Sequence, residues 1–378
     1  MPIDMGAAQP QTPPHQGTKP NSAGNGEAKS GPPAIVSAKA FVADFTPPQY
    51  EIDGLLQRGR LYSLTAPTGH GKTAVALYLE VLLATGSPLA GRTVEQGTGL
   101  YFAAENADDV RCRILLMADR MQLNLDALRL KFVAGGFNLD DWADHIRHEV
   151  DALGGVASIT VDTGPAFLVA CGFADENDNV AALRFALKLR ELTRLPGNPL
   201  VLVPTHPVKN ATRENLLPRG GGAFLNEMDG NLTLWAEGER ETTELHWAGK
   251  LRGPSFDPIT FALEKGTCPD LVDAKGRRLP SVWAYQADQK LADRAASRQR
   301  EDEDALLIVM HNAPDRAIAS WATSLGWIAA TTGEPLKSRV HRTLERLKAE
   351  KLVTQKRARW ILTSPGKKEA ERLEEQAQ

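Results

Sequence analysis

The chain has few cysteines and no long apolar run, the features typical of disulfide-bonded secreted proteins, cysteine-rich metal sites and membrane proteins. Its three cysteines, Cys112, Cys171 and Cys268, are isolated and odd in number, which excludes a disulfide framework and a CxxC metal site. No stretch approaches the roughly 18–20 consecutive apolar residues of a membrane helix, and the first residues lack the apolar core of a secretory signal. The sequence therefore predicts a cytoplasmic protein without a membrane segment.

An excess of charge of one sign is also lacking. The formal net charge is only −3 over 378 residues, so any binding of nucleic acid must come from a local basic region rather than from the whole surface. Hydrophobic residues make up 42% and charged residues 24%, which excludes a fibrous or wholly disordered protein. The length suggests two or three domains at about 150 residues each.

Composition changes along the chain and predicts four regions. Residues 1–34 are rich in Pro, Gly and Ser and nearly free of large apolar side chains, which predicts a disordered tail. Residues 35–287 alternate short apolar runs with helix-length segments, which predicts an α/β domain with a mainly parallel sheet and, after Gly230, an antiparallel extension. Residues 288–304 are highly charged and predict an exposed linker or helix, and residues 305–378 form a second, small domain.

The strongest motif lies between the first apolar run and the first helical segment. Residues 61–77 read LYSLTAPTGHGKTAVAL: a strand, a glycine-containing turn and a helix, in the order that lets backbone N–H groups and a helix N-terminus converge on phosphates. Ala66 replaces the first glycine of the common GxxxxGK[ST] pattern. Lys72 would reach the β- and γ-phosphates of ATP, and the Thr73 hydroxyl would bind Mg²⁺. The alternative is a glycine-rich turn without a ligand. The predicted loop residues are Ala66, Pro67, Thr68, Gly69, His70, Gly71, Lys72, Thr73 and Ala74.

Two carboxylates follow predicted strands downstream. Asp162 directly follows the apolar run at 157–161. An ATPase holds the water shell of its Mg²⁺ with a carboxylate at this position. The alternative is that Asp162 only forms a turn, as an Asp at the end of a strand commonly does. ATP hydrolysis needs a base that activates the attacking water. No acidic residue directly precedes or follows Asp162, so this base must come from another strand. Glu105 follows the run at 99–103 and is the candidate base; the alternative is that Glu105, with Asn106, only caps the next helix.

The order of these motifs resembles the RecA-like, hexameric-helicase branch of P-loop ATPases, in particular the plasmid RepA replicative helicase family. The similarity is carried by TAPTGHGKT, YFAAENADDVRCR and SITVDTG, and it continues in LVLVPTHPVK, in residues 219–223 followed by Asp229, and in residues 249–253. It covers about residues 47–263.

The resemblance implies roles for further residues. His206 would sense the γ-phosphate, residues 219–223 and Asp229 would form a glycine-rich loop facing the centre of a ring, and Arg252 with Lys250 would reach the nucleotide of a neighbouring subunit. A homo-oligomer, in the family a hexameric ring, follows from this. Without the resemblance, His206 reads as a core or turn histidine, and Lys250 and Arg252 as a solvated strand face.

The C-terminal region predicts three helices and a strand pair, which resembles a winged helix-turn-helix. In the third helix Val340, Leu344 and Leu347 form an apolar stripe, and a basic face lies beside it. The interpretation is a DNA-binding module; the alternative is a module for protein contacts with solvated basic residues. The candidate nucleic-acid contacts are Arg339, Arg342, Arg346, Lys356, Arg357 and Arg359.

Two functions remain open from the sequence. The first is an ATP-hydrolysing RecA-like motor acting on DNA, as in a replicative helicase of a plasmid, phage or mobile element. The second is a DNA-binding regulator, without helicase activity, whose assembly ATP switches.

Overall fold

The computed structural model describes residues 35–43, 45–173, 178–236, 241–314, 316–329, 333–356 and 359–376. The chain divides into two units between residues 47 and 48. In the first unit the described residues include helix α1, Ala38–Val42. The predicted disordered tail at 1–34 and the predicted DNA contact Arg357 lie outside the described residues.

The second unit is built on a sheet of nine described strands. A separate hairpin, β1 (Tyr50–Ile52) and β2 (Leu56–Gln57), precedes it. Six strands of the large sheet are parallel: β3 (Leu61–Thr65), β4 (Gly99–Ala103), β5 (Leu130–Ala134), β6 (Ser158–Asp162), β7 (Leu200–Thr205) and β8 (Gly230–Ala236). Three continue the sheet antiparallel: β9 (Thr242–Leu251), β10 (Ile259–Gly266) and β11 (Ser281–Gln286). The order across the sheet is β11-β10-β9-β8-β3-β7-β6-β4-β5.

Helices cover both faces of this sheet and produce two cores. Alternate residues of one strand go to opposite sides: Tyr101 packs in the core with α2 (Lys72–Thr85) and α3 (Ala107–Met121), whereas Leu100 and Phe102 pack on the other side. The second side is covered by α4 (Ala143–Ala152), α5 (Gly164–Ala170), α6 (Asn179–Leu192) and α7 (Gly221–Glu227). Burial on both faces explains why the central strands are continuous apolar runs.

The structure confirms the predicted α/β architecture and the position of its central elements. The apolar run predicted as a strand at 99–103 has the observed bounds of β4. One pairing differs from the prediction, because β8 is parallel to β3 and the antiparallel part begins only at β9. The edge strand β5 and the short helices α5 and α7 were not predicted.

The C-terminal residues form a module of helices and one hairpin. It contains α8 (Gln289–Asn312), α9 (Ile318–Ser324), α10 (Lys337–Ala349), the antiparallel pair β12 (Val353–Lys356) and β13 (Arg359–Leu362), and α11 (Ser364–Gln376). The predicted stripe of Val340, Leu344 and Leu347 is buried against Leu306 and Trp321. The charged segment 288–304 and the predicted helix that follows it are one continuous helix, α8. Helix α11 was not predicted. No helix among the described residues is long and apolar enough to cross a membrane.

Candidate functional site

The loop between β3 and α2 has the backbone of a phosphate-binding turn. Gly69 and Gly71 have φ values of 81° and 89°, in the left-handed region that favours glycine. A Cβ at Gly71 would lie 2.8 Å from Leu263 Cδ2, so β10 leaves no room for a side chain there. Ala66 is buried and its φ is not positive, which explains why alanine serves at the position where the motif has its first glycine.

Lys72 begins α2 and points back over this loop. Its Nζ donates to the carbonyl oxygens of Ala66 and Pro67 at 2.7 and 3.2 Å. Burial lowers the pKa of Lys72 to about 8, and the carboxylates of Asp162 and Glu105 oppose that shift. The ammonium is therefore largely protonated at neutral pH and lies in a desolvated position, where attraction to an anion is strengthened.

Asp162 ends β6 and lies opposite the start of α2. Its Oδ2 accepts a hydrogen bond from the Tyr101 hydroxyl at 2.7 Å, and its Oδ1 accepts one from Thr73 Oγ1 at 3.4 Å. Burial raises the pKa of Asp162 to about 6, against the lowering effect of the Tyr101 and Thr73 hydrogen bonds. A hydroxyl and a carboxylate that face each other are hard oxygen donors, so the pair fits a Mg²⁺ ion that keeps several waters.

Glu105 follows β4, the strand beside β6, and is joined to the Asp162 segment. Its Oε2 accepts a hydrogen bond from Thr163 Oγ1 at 2.9 Å. The cap of α3 is Asn106, whose side chain accepts from the backbone N–H of Asp109 at 3.0 Å. Glu105 does not supply that side-chain cap, and its exposed carboxylate lies at the same edge of the sheet as Asp162 and Lys72.

His206 lies at the same edge, directly after β7, which runs between the phosphate-loop strand and the Asp162 strand. The hydroxyl oxygens of Thr65 and Thr205 are 3.0 Å apart, and the backbone N–H of Ala66 donates to the Thr205 carbonyl at 3.3 Å. This places half-buried His206 between Lys72 and Asp162 in the order of the strands. It is not a deep core residue.

His70 has a structural part in the loop that sequence reasoning missed. Its Nδ1 accepts a hydrogen bond from the backbone N–H of Ala236 at 2.9 Å, and its ring meets that of Trp235 edge-on at 5.0 Å. The phosphate loop is therefore anchored to the end of β8. Only the apolar, aromatic end of the NLTLWA run hinted at this contact.

Arg252 and Lys250 lie far from these groups, at the opposite edge of the sheet. Arg252 Nη1 bonds Asp229 Oδ1 at 2.8 Å, and Leu61 at the start of β3 donates its N–H to Asp229 Oδ2 at 3.0 Å. Lys250 donates to the carbonyl of Asn226. The length of β3 separates Arg252 from the phosphate loop by roughly 15 Å, so Arg252 cannot serve the loop of its own chain.

The expected glycine-rich loop at 219–223 differs in the structure. Gly220 caps α7, and residues 221–223 belong to that helix. Asp229 is fully buried and accepts ion pairs from Arg190 and Arg252, with Arg60 Nη1 at 3.8 Å. Asp229 is therefore a structural carboxylate and does not face an opening.

The basic face predicted for the third helix of the C-terminal module is directed largely at α8. Arg339 makes a two-pronged contact with Asp302 at 2.9 and 3.0 Å, and Arg346 Nε bonds Glu303 Oε1 at 2.7 Å. Arg342 is half-buried, whereas Lys356 and Arg359 are exposed on the β12–β13 hairpin. The alternative that Arg339 and Arg346 are simply solvated is wrong, because α8 supplies carboxylates along that face. Their predicted role as nucleic-acid contacts stays a prediction.

Comparison with known proteins agrees with the phosphate-loop geometry. A family model described as an AAA domain matches residues 27–212, a range that contains Lys72, Glu105, Asp162 and His206, and this supports a P-loop ATPase. A solved structure, a KaiC-like protein from the hyperthermophilic archaeon Pyrococcus horikoshii OT3, is similar over 62% of this chain and 93% of that chain, with 17% identity and a TM-score of 0.39. A likeness at that TM-score carries no conclusion. No curated protein matches the chain significantly.

Proposed function

We propose that this protein is a RecA-like ATPase that acts on DNA, as a motor of the replicative-helicase type. The observation that carries the proposal is the convergence of five groups at one edge of four adjacent parallel strands. These groups are Lys72, Thr73, Glu105, Asp162 and His206. Ligands bind at the carboxyl ends of strands in such sheets, and an ATPase needs a cation, a metal site and a base together there.

Each group has a role that follows from its surroundings. The ammonium of Lys72 neutralises the β- and γ-phosphates, and the N–H groups of residues 68–73 bind phosphate oxygens. Thr73 and Asp162 would hold Mg²⁺, which offsets charge on the phosphates. Glu105, bonded to Thr163 and exposed, orients and deprotonates the attacking water. His206 follows β7, which lies between β3 and β6, and contacts the γ-phosphate.

Hydrolysis in this proposal requires a second copy of the chain. Arg252 is 57% exposed while one of its nitrogens is held by Asp229, so the rest of the guanidinium can reach a neighbour. Its separation from the phosphate loop of its own chain supports action in trans. Lys250 accompanies it, and a closed ring, hexameric in the family that the sequence resembles, would supply each loop with one such arginine.

DNA is the proposed partner, and the C-terminal module, as a winged helix, is its proposed binding element. Three helices followed by a hairpin with exposed Lys356 and Arg359 support this assignment. The same module would serve the alternative function, an ATP-switched DNA-binding regulator without helicase activity.

ATP turnover measured with and without single-stranded DNA tests the proposal. We expect DNA-stimulated hydrolysis, strand separation of a forked duplex, and a mass that increases with nucleotide.

Lys72→Ala should lose ATP binding or turnover, because it removes the cation facing the transferring phosphoryl group. The control is Lys131→Ala, an exposed lysine on edge strand β5. Normal hydrolysis by Lys72→Ala would refute the site, and tight duplex binding without strand separation would favour the regulator.

A further inference from the structure

The C-terminal module contains a groove that differs from the basic helix face predicted by the sequence. Its volume is about 530 Å³, and it lies between the start of α9, the start of α10 and the first residue of β13. Four cationic or hydrogen-bond-donating side chains line it: Arg316, Lys337, His341 and Arg359. They come from three separate segments of the chain, so sequence periodicity alone does not group them.

The charge of this groove is not neutralised within the described part of the chain. No acidic residue is among its described lining, and no described carboxylate pairs with Arg316, Lys337 or Arg359. All three side chains are exposed. On the other face of α10 the opposite holds, since Asp302 and Glu303 hold Arg339 and Arg346. Among the described residues, carboxylates of α8 therefore pair with the arginines of one face of α10, whereas the cations of the groove pair with none.

The floor of the groove is apolar and fixed. Ile318, Trp321 and Trp360 line it, and both tryptophans are almost fully buried in the module core. Cations at the rim over an apolar floor match a ligand in which anions alternate with groups that present C–H surface. A phosphodiester backbone has this character, because each phosphate is followed by a sugar whose C–H groups can pack on an apolar side chain. The rim groups can bond phosphate oxygens while Ile318 contacts the sugars.

We propose that this groove, and not the arginine face of α10, binds the phosphodiester backbone of a nucleic acid strand. The inference rests on the proposed DNA role of the module and specifies its contacts. Arg316, Lys337 and Arg359 each neutralise a phosphate, and His341 donates a hydrogen bond. Three phosphate contacts predict a contribution of about 2–3 to the slope of log affinity against log salt.

The test uses the full-length protein and a fluorescent single-stranded DNA, with affinity measured by anisotropy between 50 and 300 mM salt. One variant carries Arg316→Gln, Lys337→Gln and Arg359→Gln. Its matched control carries Lys351→Gln, Lys367→Gln and Lys368→Gln, which removes the same charge from exposed positions of the same module outside the groove. Basal ATPase activity and thermal unfolding of both variants report that the fold is intact.

We expect the groove variant to lose at least tenfold in affinity and 2–3 in salt slope, and the control to change the slope by less than one. Equal changes in the two variants would overturn the inference, because any surface charge would then serve. Unchanged binding by both would also overturn it and place the DNA path elsewhere while the proposed function stands. If wild-type protein hydrolyses ATP but binds no DNA, the proposed DNA role itself fails. Displacement by polyglutamate at equal charge concentration would overturn it in favour of an acidic protein partner.

Discussion

At the scale of single residues, the two carboxylates at the edge of the sheet beside Lys72 have different surroundings and therefore different chemical roles. Asp162 is buried and holds hydroxyl groups, whereas Glu105 is exposed and bonded only through Thr163 among the contacts described above. We predict that Glu105→Gln still binds ATP but turns it over at least about 100-fold more slowly, because the amide keeps the shape and lacks the basicity.

Steady-state hydrolysis and equilibrium binding of ATP separate the two effects for Glu105→Gln. The matched control is Asp108→Asn in the first turn of α3, where the side chain pairs with surface Arg111. Asp108→Asn should retain turnover. If Glu105→Gln and Asp108→Asn hydrolyse ATP equally well, the base lies elsewhere.

A third carboxylate, Glu80, lies inside the molecule away from this edge. It is fully buried on α2, and Ser158 Oγ and Thr160 Oγ1 donate to it at 2.5 and 2.7 Å. Burial raises its pKa to about 7. The folded chain thus keeps a proton that the unfolded chain loses between pH 4.5 and 7, so this group lowers the free energy of unfolding as pH rises through that interval.

We therefore predict that Glu80→Gln is about as stable as wild type at pH 5 and more stable by about 3 kcal/mol at pH 8. Gln is neutral at both pH values and can still bond the two hydroxyls. Denaturant titration at the two pH values measures the difference, with exposed Glu149→Gln as the control. An equal effect of Glu80→Gln at pH 5 and pH 8 would contradict the predicted ionisation.

Some residues of the site were predictable from the sequence and others were not. Lys72, Thr73 and the loop follow from a local motif, and Glu105 and Asp162 follow from their place after apolar runs. The anchoring of His70 by Ala236 joins residues 166 apart in the chain, and no local pattern records that contact.

At the scale of elements, the most informative difference between prediction and structure is α10. Helical periodicity correctly separated its apolar stripe from its arginines. It could not show which neighbouring element covers the second face, because that depends on packing between helices. The acidic residues of α8 were interpreted as part of an exposed linker or helix, yet Asp302 and Glu303 are the partners of Arg339 and Arg346.

This packing changes the expected effect of an arginine substitution. Glu303 is only 4% exposed at its side chain, and Arg346 is its closest partner, with Arg300 at 3.6 Å. We predict that Arg346→Ala destabilises the module by about 2–4 kcal/mol, because it removes the nearest cation from a buried carboxylate and leaves the more distant Arg300 to offset its charge. Affinity of the folded protein for DNA should remain near wild type.

Thermal unfolding and DNA anisotropy of the Arg346→Ala variant give the two readouts. Lys348→Ala, which removes an exposed pair with Glu345 on the same helix, should cost less than about 1 kcal/mol. A stable Arg346→Ala variant with a large loss of DNA affinity would restore the recognition face that the sequence predicted.

Strands show the same limit of sequence reasoning. Runs buried on both faces were found because their apolar character is continuous, as in β4 and β6. Edge strand β5, LKFVA, was missed because only its first residue is buried. Its other residues are exposed or half-buried. Helix α11 was missed because its charged residues carry little apolar pattern.

At the scale of the whole molecule, the separation of Arg252 from the phosphate loop makes a prediction about assemblies. Arg252→Ala should keep its fold, since Arg190 and the N–H of Leu61 still bond Asp229. It should bind ATP but lose about 10³ in turnover. Mixing it with Lys72→Ala subunits should restore activity where an intact loop meets an intact arginine.

Hydrolysis by defined mixtures of the two variants measures this rescue. Arg60→Ala, which removes a more distant arginine from the same carboxylate, is the control and should hydrolyse ATP alone. Mixed oligomers verified by mass that show no rescue would exclude action of Arg252 in trans.

The two ends of β3 have a mechanical consequence. Its carboxyl end continues into the phosphate loop, and its amino end exchanges hydrogen bonds with Asp229, which holds Arg252. All five residues of β3 are buried between two neighbouring strands, so the strand is stiff along its length. In an assembly of the proposed kind, β3 directly connects the nucleotide pocket of a subunit to the arginine that this subunit supplies to its neighbour. A displacement at one nucleotide pocket of a ring would then be transmitted through β3 to the next pocket.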